Sequence, residues 1–550
     1  MHRMAAIPLE QHRRRAMQRS TLVQRTFGIV ISAFMVLVAV LPSEAQVRRL
    51  VFASAGLNES NRFWTIPRPS HLQYDPFLET LLDVDPDTGA YIPRLAERWE
   101  ATPDMKEWTF YLRKGVQFHF GYGEFTARDV VHSHSLMIGP DALATLTGFW
   151  RTVEEIKVIN DYQVVFRMKQ PSTTMPYAAS RCGDLRIVSK AQWDKEGLEG
   201  FEKRPAGTGS YRYVSRQVAQ SIIFERVENH WRGERPDFPE LEIRFVPEDT
   251  TRLATLLNGE AHVVDLPREL QPEALNRGMT ILSSKLATDW ETIYLGGQFY
   301  IPGDPKFKAD MPWTDRRVRQ ALNMAVNRKE LRDTIFRGKG APMYVSGFEA
   351  SLEGWNPDWA KRFDALYGYN PVRAKELLKE AGYPPGTIQV KLLSYTSPGE
   401  AEHPQVVEAL AIYFDAVGIK STIESLDEGK VASLLRNKES VGAIWSNIIG
   451  LRPTEEWIRT SYWSKGSVVH HFEDSFIDER YLKLTQTVEP NERQRLAREV
   501  GDHLFEEFAD IPLLLLYNEV VANPKVVAGW TYPGPGAGRT THFHLLKAVQ

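Results

Sequence analysis

The sequence predicts an α/β fold in which mixed sheets are flanked by helices, divided over about three domains. A chain of 550 residues exceeds one domain, since domains usually contain roughly 100–200 residues. The apolar fraction of 43% and the charged fraction of 25% are typical of a globular protein with a large core. Strands alternate with helices through the C-terminal half, which indicates a partly parallel sheet.

Residues 108–168 predict a strand, a capped helix and a hairpin. Residues 108–112 alternate between apolar and polar side chains, as a short strand does. Thr126 and Asp129 have the spacing of a capping box, which predicts a helix immediately after Thr126. Residues 153–159 and 164–168 flank an Asn-Asp pair that tolerates turn geometry, and they predict a hairpin.

The middle of the chain predicts several more strands and one helix. The expected strands are 211–214, 222–226, 241–246 and 263–266, and the expected helix is 250–257. An Asn-Gly pair ends this helix.

The clearest helix begins at Asp315. Its apolar residues recur on a single face, at Val318, Ala321, Leu322, Ala325 and Val326. A second helix is expected after it, with Asn327 as its cap and its end at Arg337-Gly338.

The C-terminal half continues with alternating helices and strands. Asn370-Pro371 predicts a capped helix with proline at its first position, and Gly382 ends it. The elements expected next are strand 388–393, helix 404–417, strand 419–423, helix 430–437 and strand 442–445.

Residues 1–45 have the three parts of a secretory signal peptide. A region rich in arginine precedes the almost wholly apolar run 27–41, and Ser43-Glu44-Ala45 gives a small-x-small cleavage site. The apolar run is shorter than the roughly 20 residues that span a bilayer, although an uncleaved anchor is the alternative. Cleavage is expected after Ala45, and either Met1 or Met17 is the start.

The expected mature chain is acidic and contains one cysteine. Without residues 1–45 the chain keeps 61 basic and 68 acidic residues, a net charge of -7. This charge gives no basic footprint for nucleic acid. Cys182 lies far from the cleavage site, so no N-terminal cysteine is available for a lipid anchor, and we expect a buried apolar role for its thiol. The mature protein is therefore expected to be freely soluble and monomeric.

Four blocks of sequence have the order and spacing of a family signature. The blocks are Leu95-Ala96-Glu97-Arg98-Trp99-Glu100 through Asp129-Val130; Gly207-Thr208-Gly209-Ser210-Tyr211 with Glu228-Asn229-His230-Trp231-Arg232-Gly233; Arg317 through Gly338-Lys339-Gly340; and Tyr369-Asn370-Pro371 through Ala381-Gly382-Tyr383. These blocks resemble the family 5 extracellular solute-binding proteins, the peptide- and nickel-binding receptors of bacterial ABC importers. The first block is the most specific because many fixed residues fall within about 35 positions.

This resemblance implies a two-lobed periplasmic binding protein of the type II-like class with an extra inserted domain. Lobe I would combine residues 46–78, 205–300 and 515–550. The inserted domain would be 79–204, and lobe II would be 301–514. By analogy the lobes close on an oligopeptide- or dipeptide-like solute by hinge motion, and the receptor delivers it to a permease at the inner membrane.

The resemblance also predicts where the ligand binds, and the sequence departs from the family there. Peptide-binding members usually hold the ligand ammonium with an aspartate in a W-x-x-D-Y-x-D-P-like stretch. The matching stretch here begins at Trp445 and ends at Pro453, is longer by about one residue and lacks both aspartates. We expect Trp445 and Asn447 to line the cleft, with strand-end packing as the alternative for Trp445. Asn447 could hydrogen-bond an ammonium but not neutralise it.

This departure leaves the ligand open. Either another carboxylate binds the ammonium, or the ligand has no free amino terminus, as in an opine, a sugar phosphate, a modified peptide or a nickel chelate. Weaker candidates for the site are Trp290, Tyr294, Tyr395 and Trp463, each with a role in the core as the alternative. Arg452 could pair with an acidic ligand group, although a solvated surface arginine is the simpler expectation.

No catalytic or cofactor motif supports an enzyme. The chain contains no P-loop and no H-E-x-x-H motif, and Gly207 to Tyr211 is not a nucleophile elbow. His470-His471 and His542-Phe543-His544 could suggest a metal, but adjacent histidines on a strand point to opposite faces. We therefore expect no cofactor and no dedicated metal site. A secreted hydrolase and a periplasmic chaperone or sensor partner are the less favoured alternatives.

Overall fold

The computed structural model describes residues 47–66, 71–396, 402–531 and 541–550. The expected signal peptide lies outside the described residues. Across the described ranges, none of the helices combines the length and the apolar character that a bilayer crossing requires.

The chain alternates between strands and helices along its length. The strands are β1 (Arg49–Ser54), β2 (Leu82–Val84), β3 (Tyr91–Pro93), β4 (Ala96–Ala101), β5 (Glu107–Leu112), β6 (Val153–Asn160), β7 (Gln163–Met168), β8 (Tyr211–Gln217), β9 (Ser221–Arg226), β10 (Glu240–Phe245), β11 (Val263–Val264), β12 (Thr280–Ser283), β13 (Asp289–Leu295), β14 (Gln298–Phe299), β15 (Ala341–Pro342), β16 (Gln389–Ser394), β17 (Lys420–Ser425), β18 (Ala443–Gly450), β19 (Phe472–Glu473), β20 (Ile511–Leu516), β21 (Glu519–Ala522), β22 (Val527–Gly529) and β23 (Lys547–Ala548).

The helices are α1 (His71–Tyr74), α2 (Ala127–Met137), α3 (Thr147–Trp150), α4 (Met175–Ala179), α5 (Lys190–Lys203), α6 (Asp249–Leu257), α7 (Gln271–Asn276), α8 (Arg316–Ala325), α9 (Arg328–Thr334), α10 (Asp358–Tyr367), α11 (Pro371–Glu380), α12 (His403–Ala416), α13 (Glu428–Arg436), α14 (Thr454–Ser461), α15 (Ser475–Gln486) and α16 (Pro490–Glu507). Short 3₁₀ turns lie at Phe63–Thr65, His119–Gly121, Pro312–Thr314 and Phe543–Leu545.

The first large sheet has seven strands in the order β12-β21-β11-β1-β10-β9-β8. Strand β1 is parallel to both β10 and β11. Both faces of β1 are buried, because Leu50 and Phe52 pack in one apolar cluster while Val51 and Ala53 pack in another. Burial on both faces explains the almost continuous apolar sequence of this strand.

The second large sheet has six strands in the order β15-β20-β13-β18-β16-β17. Strand β16 is parallel to β17 and β18, whereas β13 is antiparallel to β18 and β20. All seven residues of β13 are buried. Ile293 and Leu295 face one apolar cluster and Trp290 and Tyr294 face the other, so this strand lies at the centre of its half of the protein.

A smaller antiparallel sheet is inserted between β1 and β8. Its order is β4-β5-β7-β6, and its alternating burial leaves one face toward the protein interior. Phe110 and Phe166 from this sheet belong to the same apolar cluster as Leu50 and Phe52 of the first sheet. The inserted segment therefore shares a continuous core with the first sheet.

The apolar clusters divide the described chain into two bodies. The buried residues of one pair of clusters come from residues 50–274 and 520–548, and those of the other pair come from residues 290–516. We call residues 47–283 and 519–550 the first body and residues 287–516 the second body. The chain crosses between the sheets twice, from β12 to β13 and from β20 to β21. Backbone hydrogen bonds join the crossings, from Ser284 N to Asn518 O at 2.9 Å and from Thr288 N to Leu516 O at 2.9 Å.

The structure confirms most of the expected elements within a few residues. The capping box of Thr126 and Asp129 is present at the start of α2, and Asp315, Asn327 and Asn370 accept hydrogen bonds from the first turns of their helices. Cys182 is buried, and burial raises the pKa of its thiol to about 12.

The expected division at residue 300 was wrong for the segment that contains β13. This strand was assigned to lobe I, yet it pairs with β18 and β20 of the second sheet. Strand β20 likewise belongs to that sheet through its last residue, Leu516. The error has a physical origin, because pairing partners about 150 or more residues away decide which sheet a buried strand joins.

Candidate ligand site between the two bodies

The two bodies meet along the edges where their parallel strands end. Arg268 follows β11 of the first body and Glu402 precedes α12 after β16 of the second, and their side chains form an ion pair at 2.9 Å. Beside them Gln405 Nε2 donates to Glu269 Oε2 at 2.8 Å. Ligands of open α/β sheets bind at the carboxyl ends of parallel strands. The boundary between these edges is therefore the candidate site.

A second set of contacts crosses the boundary from the inserted segment. The Thr173 hydroxyl, just before α4, donates to Glu455 Oε2 at 3.2 Å. Arg459 also approaches this segment, since a Cβ built on Gly148 would lie 3.4 Å from Arg459 Nη1. Both partners in the second body lie on α14, so this helix forms one wall of the boundary.

Arg452 lies in the loop between β18 and α14 and is partly buried. Its Nε donates to the Gly450 carbonyl oxygen at 3.3 Å, and the described residues place no carboxylate within salt-bridge distance of its guanidinium. A partly exposed guanidinium is compatible with the expected solvated surface arginine, and its pairing with a ligand group stays a prediction.

The charge of Arg452 acts on tyrosines of both bodies. Burial raises the pKa of Tyr177 in α4 well above its ordinary value, and the nearby Arg452 charge opposes that shift. Burial raises the pKa of Tyr294 in β13 as well, and Arg452 again acts in the opposite direction. Tyr177 belongs to the first body and Tyr294 to the second, so the Arg452 charge opposes the pKa shift of one tyrosine in each body.

The acidic residues beside Arg452 are already paired with arginines. Arg493 Nη2 contacts Glu455 Oε2 at 2.9 Å. Arg459 binds both carboxylate oxygens of Glu456, at 2.6 and 2.8 Å. Burial raises the pKa of Glu455, and the Arg493 charge opposes that shift. These pairs leave the charge of Arg452 uncompensated by its neighbours in sequence.

Five of the residues expected at the site share one face of the second sheet. In the antiparallel register Tyr294 lies opposite Trp445 and Thr292 lies opposite Asn447. Cross-strand partners point to the same face, so these side chains adjoin one another. Tyr395 follows β16, and its hydroxyl donates to the Ser446 carbonyl oxygen at 3.0 Å and lies 3.4 Å from Asn447 Oδ1.

The aromatic members of this face are deeply buried. Trp290, Tyr294 and Trp445 have no exposed surface. The Trp290 ring packs edge-on against Trp457 at 4.7 Å between centroids, and the Tyr294 ring lies 5.5 Å from Trp445. These contacts match the alternative of core packing. The Nε1 atoms of Trp290 and Trp445 and the Tyr294 hydroxyl nevertheless have no hydrogen-bond partner among the described residues.

Trp463 lies apart from the other expected residues. It follows α14, is partly buried, and packs on Tyr481 of α15 with ring centroids 4.7 Å apart. Asn447 is only 4% exposed, which places it at the bottom of any cleft rather than at its rim. The site role of all seven expected residues stays a prediction.

A buried polar cluster lies next to the aromatic face. The Tyr462 hydroxyl donates to Asp510 Oδ2 at 2.6 Å, and the His471 ring stacks on Tyr294 at 4.1 Å. Burial raises the pKa of Asp510 to about 7 and lowers the pKa of His471 well below its ordinary value. Both groups are therefore in their uncharged forms over much of the neutral and acidic range.

Two of the four histidines that could suggest a metal, His470 and His542, contact carboxylates. His470 Nδ1 contacts Glu473, and His542 Nε2 lies 3.1 Å from Asp83 Oδ1. Over the described ranges, no group of three or more His, Cys, Asp or Glu side chains has the geometry to hold a metal ion.

Sequence patterns did not reveal the contacts that bridge the boundary. The roles of Thr173, Arg268 and Glu402 depend on partners more than 130 residues away. A signal did exist for α14, because Pro453 followed by Thr454-Glu455-Glu456 is typical of an acidic first helical turn.

Comparisons with known proteins agree with this architecture. The family model for bacterial extracellular solute-binding proteins, family 5 Middle, matches residues 90–468. The dipeptide-binding protein of Escherichia coli strain K12 is 26% identical over 421 residues, covering 72% of this chain and 75% of that protein. The di/tripeptide-binding protein 1 of Pseudomonas aeruginosa is 25% identical over 547 residues, covering 93% and 95%.

Among solved structures, the dipeptide-binding protein of Pseudoalteromonas sp. SM9913 in complex with Met-Leu has a TM-score of 0.74. It is 19% identical, and the match covers 91% of this chain and all of that one. This similarity shows the two-lobed fold.

Proposed function

The chain belongs to the bacterial extracellular solute-binding proteins of family 5, and from this premise we propose that it captures a small peptide-like solute between its two bodies for an ABC importer. Members of this family are periplasmic receptors that bind peptides or other small molecules and work with ABC permeases. The membership fixes the class of function, and the ligand is the open question.

The observation that carries the proposal is the division into two bodies with contacts across their facing edges. Two short crossings join the bodies, and Arg268–Glu402 and Thr173–Glu455 bridge the boundary at separate places. A ligand that touches both bodies favours the closed arrangement by its differential affinity for that form. Contacts between the bodies of this kind add to the stability of the closed arrangement.

The relatives support a peptide-like ligand. Two of the curated relatives, at 26% and 25% identity, are named for dipeptides and for di- and tripeptides. A peptide also suits a site between strand edges, because its backbone can form strand-like hydrogen bonds that ignore side-chain identity.

The finer aspects of the proposal concern the mature protein. We propose that residues 1–45 are a signal peptide cleaved after Ala45 and that the mature chain is a periplasmic monomer without a lipid anchor. We also propose that it has no catalytic activity. Its sequence supports this, since it contains no nucleophile elbow or metalloprotease motif.

The test is ligand binding by the mature chain from Gln46 onward. Thermal unfolding is measured with dialanine, trialanine, an opine, glycerol 3-phosphate and nickel-histidine, each at several concentrations. A ligand should raise the unfolding temperature with concentration by mass action, without turnover. X-ray scattering with that ligand should show a smaller radius of gyration. If no compound shifts unfolding and the scattering never changes, the receptor proposal is wrong.

A further inference from the structure

Arg268 joins the first body to the second beside the crossing from β20 to β21. It follows β11 of the first body, and its Nη1 contacts Glu402 Oε1 of the second body at 2.9 Å. Its guanidinium also lies 5.8 Å from the centre of the Phe336 ring, which belongs to the core of the second body. Its Nη2 donates to the Tyr517 carbonyl oxygen within the crossing at 3.2 Å. The guanidinium therefore contacts both bodies and the segment that joins them.

A second bridge continues from Arg268. Glu519 is the first residue of β21 and belongs to the first body, where its Oε2 lies 3.3 Å from Arg268 Nε and accepts from Gln271 Nε2 at 3.4 Å. Its Oε1 contacts Lys339 Nζ of the second body at 3.1 Å. Four charged side chains thus pass from the second body into the first and back, in an order that we call the ionic bridge: Glu402, Arg268, Glu519, Lys339.

The charges of the ionic bridge are balanced, and three of its members are shielded from water. Two cations alternate with two anions, so their net charge is zero. The side chains of Glu402, Glu519 and Arg268 are only 6%, 4% and 11% exposed, whereas that of Lys339 is 46% exposed. A charge withdrawn from water is costly unless an opposite charge approaches it, so each buried member depends on its neighbours in the bridge.

The second body contributes the two ends of the bridge, and their partners lie in the first body. Across the part of the chain that the structure describes, Arg268 is the cation paired with Glu402, and Glu519 is the anion paired with Lys339. Arg268 and Glu519 also pair with each other inside the first body. Separation of the bodies would keep that inner pair but break both outer pairs. The attraction therefore acts only while the bodies are together.

We propose that the ionic bridge is a latch that holds the two bodies together in the absence of solute. The latch lies beside a crossing where backbone hydrogen bonds already join the chain, so its members meet without a solute between them. The balance between the open and closed arrangements of the ligand-free chain then depends on these four charges. This inference concerns the ligand-free protein and is independent of which solute binds.

The double variant Lys339→Met/Glu402→Gln tests the latch. It removes both charges that the second body contributes, keeps the net charge of the chain, and leaves the Arg268–Glu519 pair in place. The mature chain is refolded from guanidinium to remove any bound solute and is then measured by X-ray scattering. Its radius of gyration should exceed that of the parent by about 1 Å, out of roughly 23 Å for a compact chain of this length.

Lys391→Met/Glu424→Gln is the matched control. This ion pair of 2.8 Å joins the neighbouring strands β16 and β17 within the second body, and both of its side chains are about half exposed. The control also removes one lysine and one glutamate and keeps the net charge, but it breaks no contact between the bodies. Its radius of gyration should equal that of the parent.

Circular dichroism of each variant separates opening from misfolding. Secondary structure like that of the parent together with a larger radius in the latch variant alone supports the inference. The parent's radius in a folded latch variant overturns it, and so does an equal expansion of the control. If the double variant does not fold, Lys339→Met alone gives the comparison, because this side chain is the exposed end of the bridge, and an unchanged radius there overturns the inference. Ligand binding decides the proposed function separately.

Discussion

Thr173 and Glu455 join the two bodies through a hydrogen bond of 3.2 Å between the hydroxyl and Oε2. Thr173 lies in the inserted segment, whose apolar side chains share the core of the first sheet, and Glu455 lies in the first turn of α14. Arg493 holds the same Oε2 atom from within the second body. The carboxylate is therefore held by Arg493 from within the second body and by the Thr173 hydroxyl from the first body.

Replacing Thr173 by valine should weaken ligand binding without unfolding the protein. The substitution keeps the shape of the side chain but removes the donor to a charged acceptor, a contact made between the bodies. We expect affinity to fall by about tenfold, because such a hydrogen bond contributes about 1.5 kcal/mol. Calorimetric titration with the ligand that most stabilises the parent measures this change.

Thr334→Val is the matched control for this variant. The Thr334 hydroxyl donates to the Glu330 carbonyl oxygen within α9, so its loss affects only that helix. Its affinity should equal that of the parent. Equal affinity in Thr173→Val would mean that this hydrogen bond does not contribute to closure.

Arg493→Met should destabilise the protein strongly. The arginine is buried, binds Glu455 and Glu353, and donates to the Leu484 carbonyl oxygen at 2.8 Å. Its removal leaves two partly or fully buried carboxylates without a cation, a change that costs about 3–5 kcal/mol. Thermal unfolding of the ligand-free chain at neutral pH should show a clear fall in midpoint.

Arg495→Met, two positions later on the same helix, provides the comparison. Arg495 lies on the same helix and pairs with Glu492 and Glu499, but on the exposed face. Exposed pairs contribute about 0–1 kcal/mol, so Arg495→Met should change the midpoint little. Similar losses in both variants would contradict the role assigned to burial.

Local sequence signals predicted the elements of this fold better than their assembly. Helices α8, α9 and α11 start where Asp315, Asn327 and Asn370 cap them, because capping depends on residues within one turn. The sheet that contains β13 could not be derived in this way. Its seven residues are all buried, so no alternation marks a face, and its partners are far away in the chain.

Only part of the candidate site could be expected from the sequence, because local patterns do not identify partners that are far away in the chain. The resemblance led to the stretch from Trp445 to Asn447, and the structure places these residues with Tyr294 and Tyr395 on one face. It did not distinguish ring packing from ligand contact, since both use buried aromatic residues. The bridging pairs were out of reach, because a threonine and a glutamate 282 positions apart carry no local pattern.

Gly347→Ala should destabilise the wall of the site behind Trp290. Gly347 has a φ of +79°, and a Cβ there would overlap the Trp457 indole. That indole donates to the Ser346 carbonyl oxygen at 2.9 Å and packs against Trp290. We expect a loss of about 3 kcal/mol from strain and overpacking combined, measured by thermal unfolding.

Gly338→Ala separates the two causes. Gly338 has a similar φ of +75°, but a Cβ there would meet no atom within 4 Å. Gly338→Ala should lower the free energy of unfolding only through backbone strain at positive φ, by about 1 kcal/mol. If Gly347→Ala were no worse than Gly338→Ala, the contact with Trp457 would not limit this position.

Asp510 gives the stability of the second body a dependence on pH. Burial raises its pKa from 3.8 to about 7, while the Tyr462 hydroxyl donates to it and the His471 ring and Tyr294 hydroxyl lie nearby. The folded protein therefore keeps a proton that the unfolded chain releases near pH 4. The stabilisation is fully present below about pH 4 and is lost as pH rises toward about 7.

Asp510→Asn should remove this dependence, because the amide resembles the protonated acid and still accepts from Tyr462. Between pH 4 and pH 7 the parent should lose stability that the variant keeps. The unfolding midpoint of the variant should therefore rise relative to that of the parent, by an amount equivalent to about 2–4 kcal/mol in the free energy of unfolding. Thermal unfolding in buffers of equal ionic strength measures the difference. Asp161→Asn, on an exposed turn, is the control and should show a constant difference. A constant difference for Asp510→Asn as well would mean that Asp510 is ionised in the folded protein at pH 5–6, contrary to its burial.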